Sequence, residues 1–111
     1  LGVKMKLDKF KILSEADAKF GSSRSGKVSI KLSEKCVDIA QDWLDETYFS
    51  DAKLLGKDAK TLKKELKEYI RPRIVKYKKS TFIPTVVWWW LAQVVINWVI
   101  DRIIDYILKN H

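Results

Sequence analysis

Side chains that ordinarily carry covalent or metal chemistry are scarce in this sequence. It holds one cysteine, Cys36, and one histidine, His111, the last residue. A thiol nucleophile needs a neighbouring base and a lowered pKa. Cys36 instead recurs with Val37, Ala40, Trp43, Leu44 and Tyr48 at three- and four-residue spacing. That rhythm puts it on the apolar face of a helix, as a buried and inert thiol. One cysteine also excludes an intrachain disulfide and a thiolate metal cluster. The opposite face of the same segment carries Asp38, Asp42, Asp45 and Glu46. Carboxylates in that pattern can hold a hard divalent cation. No His, Asn or Gly loop completes such a site, so the plain reading is a solvated acidic face. The GSSRSG run at 21–26 lacks the Gly-Lys-Ser/Thr ending of a phosphate-binding loop and reads as an ordinary loop. The expectation is a chain that is not an enzyme and needs no metal or cofactor.

The remaining chemistry is electrostatic. The formal charge is +8 over 111 residues, and it is concentrated. Residues 71–79 read RPRIVKYKK, with Arg71, Arg73, Lys76, Lys78 and Lys79 and no acid. These five are the expected contacts to an anionic surface, either lipid headgroups or phosphates. Read without a ligand, the run is a solvated basic linker. Only four arginines occur in the chain, and no zinc-finger or RNA-recognition signature is present, so nucleic acid is the weaker of the anionic partners.

Directly after the basic run, residues 80–100 contain no charge: STFIPTVVWWWLAQVVINWVI. A membrane-spanning helix needs about 20 such residues. Trp88, Trp89 and Trp90 suit a headgroup boundary, and the flanking cations suit the cytoplasmic or matrix side. Against spanning, Gln93 and Asn97 fall mid-segment, and Pro84 shortens the clean apolar run. Thr85, Trp89, Gln93, Asn97, Asp101, Asp105 and Lys109 recur every fourth residue, one slowly winding stripe on a helix. The other sides are apolar as far as Ile100, and such a helix must be buried nearly all round. The preceding 70 or so residues are expected to be too few to cover it, which leaves lipid, a partner protein or a second copy. Trp88, Trp89, Trp90 and Trp98 are then the residues buried in membrane or partner. Gln93 and Asn97 mark either a helix–helix interface or, in a soluble oligomer, the line facing water.

The elements that must position these groups are mainly α-helical: a helical hairpin plus a long C-terminal apolar helix, with a small N-terminal β-hairpin. Val3, Met5 and Leu7, and again Val28, Ile30 and Leu32, alternate with polar residues, the period of a strand. A helix is expected over 33–50 with Ser33 as its N-cap. A second, capped by Asp58, runs to about Ile70 with Ala59, Leu62, Leu66, Tyr69 and Ile70 on its apolar stripe. Acidic and basic faces on the two suggest an antiparallel pair. Arg71-Pro72 should end the second helix, and Pro84 can open the last one. The opening LGVKMKLDKFK has no apolar core of signal-peptide length. The organisation expected is a head over 1–70, a basic collar over 71–79 and the apolar helix over 80–111. The functional expectation is a small accessory or structural subunit held in a membrane or a larger protein assembly. The alternative is a soluble, cytoplasmic, self-associating basic module that binds nucleic acid.

Overall fold

A computed structural model describes residues 6–21, 24–47, 57–78 and 84–109. All regular structure among them is helical: α1 (Lys9–Phe20), α2 (Arg24–Thr47), α3 (Ala59–Ile74), a 3-10 turn (Val75–Lys78) and α4 (Thr85–Lys109).

The first helix occupies the connection between the two expected strands. Asp8 begins it, its carboxylate accepting from the Lys11 N–H at 3.1 Å, which satisfies one of the free donors of a first turn. Ile12 and Ala16 face inward one turn apart. Gly21 ends α1 with φ +74°, and its N–H donates to the Asp17 carbonyl at 3.0 Å. L-residues with a side chain strain at that angle, so glycine fits there. Gly26 sits at the other side of the corner for a different reason. A Cβ added to it would lie 2.4 Å from the Phe20 carbonyl oxygen.

The second expected strand, Val28–Ile30–Leu32, is helical and lies inside α2. The physical reason is two buried serines. Ser29 and Ser33 are inward-facing, and with Leu32, Cys36, Val37, Ala40, Trp43 and Leu44 they complete a helical rhythm. A serine reads as polar in a sequence pattern, so the rhythm looked interrupted. The Ser33 hydroxyl donates to the Ser29 carbonyl at 2.8 Å, satisfying itself within the helix. Ser33 is therefore an interior residue rather than an N-cap. Val3 and Met5, two of the three apolar positions of the other expected strand, lie outside the described residues. Leu7 is buried just ahead of α1, and its N–H donates to Gln41 Oε1 at 2.9 Å.

Asp58 caps α3 as the sequence suggests, accepting from the Thr61 N–H at 2.8 Å. Leu62, Leu66, Ile70 and Ile74 are all fully buried at four-residue spacing. Pro72 does not stop this helix, which continues through it to Ile74. Proline removes one backbone bond and crowds the preceding turn. Only the final turn is affected, and burial of Ile74 favours keeping it helical. The chain then tightens into the 3-10 turn.

Pro84 opens α4, its carbonyl accepting from the Trp88 N–H at 2.9 Å. Along α4 the buried residues are Trp88, Leu91, Ala92, Val95, Ile96, Val99, Ile100, Ile103, Ile104 and Ile107. They join residues of α2 and α3 and the Ile12 of α1 in one hydrophobic cluster. The chain thus covers most of α4 by itself, more than its length suggested. Two features account for this. α2 is 24 residues long rather than 18, and α1 supplies a further covering helix. No helix of the described residues is long and apolar enough to cross a membrane.

Contacts between helices fix their directions. Glu46 of α2 meets Tyr69 of α3, while Lys35 meets Tyr77 beyond it; the two run antiparallel. Lys63 pairs with Asp101, and Lys78 lies over Trp89, so α3 and α4 also run antiparallel. Glu15 pairs with Arg102, and Phe20 packs edge-on against Trp98 at 5.5 Å, aligning α1 against α4.

Candidate functional site

The basic run is built into the fold rather than free of it. Arg71 and Arg73 occupy the last turn of α3, and Lys76 and Lys78 the 3-10 turn. A helix C-terminus carries partial negative charge, so cations are favoured there. Arg73 lies flat on Tyr69, its Cζ 3.6 Å from the ring centroid, and donates to the Tyr69 carbonyl at 2.9 Å. Tyr69 in turn donates to Glu46 at 2.5 Å. Burial and the Glu46 carboxylate beside it raise the Tyr69 pKa above its ordinary value. Lys35 from α2 sits 5.1 Å from the Tyr77 ring centre, and Lys78 5.9 Å from that of Trp89. Each cation–aromatic contact at an exposed site contributes roughly 0.5–1 kcal/mol. Their larger effect is positional: they hold three cations around the end of α3 and the 3-10 turn, with Lys78 against the start of α4. Lys79 lies outside the described residues.

The tryptophans divide. Trp88 is 1% exposed and belongs to the chain's own core. Trp89 is half-buried, edge-on to Trp88 at 5.1 Å between ring centres. Trp98 is half-buried between Phe20 and the Arg102 guanidinium, whose Cζ is 5.4 Å from its ring centre. Trp90 alone of the four points outward, 64% exposed. Beside it on the same face stand Val86, 80% exposed, and Val87, 42% exposed. Residues at i, i+3 and i+4 are surface neighbours on a helix, so these three form one apolar patch at the head of α4. Val75 and Tyr77 are also exposed, on the 3-10 turn. The Lys78–Trp89 contact brings that turn against the head of α4. The sequence pattern does not single out Val86, Val87 or Lys35. For the valines the signal was phase: positions 86, 87 and 90 fall between the inward positions 88, 91, 92 and 95.

The polar stripe of α4 faces outward. Asn97, Asp101, Asp105 and Lys109 are exposed and Gln93 is half-buried. Among the described residues, the ion pairs of α4 run to other helices, Asp101 to Lys63 at 3.2 Å and Arg102 to Glu15 at 3.2 Å.

The other candidates offer less. Cys36 is fully buried, and loss of solvent pushes its thiol up to about 12. At neutral pH it is protonated and shielded, the opposite of an activated thiol. The acidic face of α2 is engaged locally. Asp38 pairs with Lys9 at 2.8 Å, Asp45 accepts from Gln41 at 3.0 Å, and Glu46 accepts from Tyr69. Among the described residues no group of three or more Cys, His, Asp or Glu side chains is placed to hold a metal ion. A groove between α1 and α4 is lined by Asp8, Lys11, Ile12, Glu15, Arg102, Asp105, Tyr106 and Lys109. Its three acids and three bases balance, and it selects neither sign of ligand.

No protein-family model, curated protein or solved structure matches this chain, so its assignment rests on this surface.

Proposed function

We propose that this chain is a small non-catalytic accessory subunit that works by attachment, through the end where residues 71–78 meet the head of α4. The observation that carries this reading is the outward trio Val86, Val87 and Trp90, set in a segment whose only charges are cations. An apolar patch rimmed by charge is the usual mark of a contact surface. The remainder of α4 holds the head together, so attachment needs only its first turns. The site of action is a membrane face or a larger assembly, with the basic end toward the cytoplasmic or matrix side.

The exposed Asn97 favours a second reading, a soluble module that self-associates through the same patch. The cations would also serve a nucleic-acid partner under that reading.

Fractionation of cells producing the chain tests attachment. The wild type is expected with the particulate or high-mass fraction, and the Val86→Ser, Trp90→Ser double variant in the supernatant at its own mass. Recovery of the wild type at its own mass refutes the proposal. A discrete dimer or tetramer by light scattering favours the second reading.

A further inference from the structure

Resting on the attachment reading, we infer that the occupant of this surface is an anionic lipid bilayer face, entered only to the depth of its headgroup layer. Three observations converge on it. The apolar trio combines aliphatic side chains with an indole. Indole prefers the headgroup boundary, where its ring is apolar and its N–H is solvated. Nucleic acid has use for an aromatic face and for cations, but it offers nothing to two exposed valines. Lipid accounts for both halves of the surface.

The second observation is charge. From Arg71 to Trp90 the sequence contains no acid. Exposed Arg71, Arg73 and Lys76, with Lys78 over Trp89, lie at the same end as the trio. Lys35 joins them from α2 through Tyr77. Cations beside an anionic leaflet add attraction that falls off within about 10 Å, and Lys78, 5.9 Å from the Trp89 ring centre, ties this run to the insertion point.

The third is depth. From Leu91 onward α4 alternates between its own core and its outward polar stripe. Within Thr85–Trp90 only the outward side chains are free to enter lipid, since Trp88 is held in the core and Trp89 is half-buried; entered end-on, the segment reaches roughly 9 Å at 1.5 Å per residue. Helices lying flat in the interface bury their apolar faces about 5–10 Å, so this segment goes no deeper even end-on. The surface therefore matches shallow docking, and no helix of the described residues is long and apolar enough to cross.

Sedimentation of the purified full chain with vesicles tests this. Partition into mixed phosphatidylcholine–phosphatidylglycerol vesicles is expected to exceed that into pure phosphatidylcholine, and to weaken as salt is raised. Each cation removed, as in Lys76→Gln or Lys78→Gln, should lower partition about fivefold. Trp90→Ala should lower it about tenfold; the side chain is exposed, so the fold is retained, which circular dichroism checks. Equal partition into both vesicle types, or an unaffected Trp90→Ala variant, overturns the inference. So does the absence of vesicle binding in a chain that binds an oligonucleotide or forms a dimer. Failure with vesicles while the chain still fractionates with a cellular assembly removes lipid as the occupant and leaves attachment standing. Recovery at its own mass in both experiments removes both.

Discussion

Alkaline pH should loosen this fold through a single buried thiol. In the folded chain Cys36 is fully shielded, and burial pushes its pKa up to about 12 from an ordinary 9.0. The unfolded chain ionises the same thiol near its ordinary value. A raised folded pKa means the stabilisation is complete below the unfolded value and is lost as pH climbs toward the folded one. Three pKa units correspond to about 4 kcal/mol in all, at about 1.4 kcal/mol per unit. By about pH 10, one unit above the unfolded value, roughly 1.4 kcal/mol should already be gone. Raised pKa values at Lys9, from its bond to Asp38, and at Tyr69, from burial and Glu46, push in the same direction. A Cys36→Ala variant separates the thiol from them. It starts lower, because a core atom is lost, but its stability should fall less steeply with pH. Urea unfolding followed by tryptophan fluorescence gives both curves. The gap between wild type and variant should shrink by roughly 1.4 kcal/mol between neutral pH and about pH 10. Parallel curves would mean that the thiol is reached by water in the native state, and the packing argument around α2 would fail.

Ile103 is fully buried near the middle of the α4 face; Ile103→Ala should cost about 2–5 kcal/mol, read as a shift in the urea midpoint. At the α1–α2 corner, Gly26→Ala should destabilise more than Gly21→Ala, because the added methyl at 26 overlaps backbone oxygen while the one at 21 meets open space and adds only the strain of a positive φ. Thermal melts rank the two, and a larger loss at 21 would contradict the close approach. Asp58 is held below the ordinary carboxylate range by its bonds to Thr61. Its contribution is present above the ordinary value and disappears as pH falls through the lower folded one. Asp58→Asn, which caps without a charge, should flatten the acid limb of the stability curve.

Residue types and spacing along the chain were sufficient for much of this molecule. The inward face of α3, the C-terminal half of α2 and the Ile100, Ile103, Ile104 and Ile107 face of α4 follow from apolar side chains at helical spacing, because a helix has one period and a core has one side. Asp58 as a cap, Pro84 as an opening residue and the +5 run at 71–79 are equally local. Tertiary structure decided three things that no local pattern carries. Ser29 and Ser33 are buried, and the Ser33 hydroxyl bonds the Ser29 carbonyl within the same helix, which turns an apparent strand into the first turns of α2. Pro72 is tolerated because Ile70 and Ile74, on either side of it, are anchored in the core. The apolar length of α4 is mostly satisfied from within, because α1, α2 and α3 all reach it. How much surface a chain can cover depends on how its elements cross, and that is a property of the assembled packing. Phe10 and Leu108 also stay outside the packing, each on its own part of the surface; Val86, Val87 and Trp90 are neighbours on one helix face, and their position close to cations gives this chain its most specific functional feature.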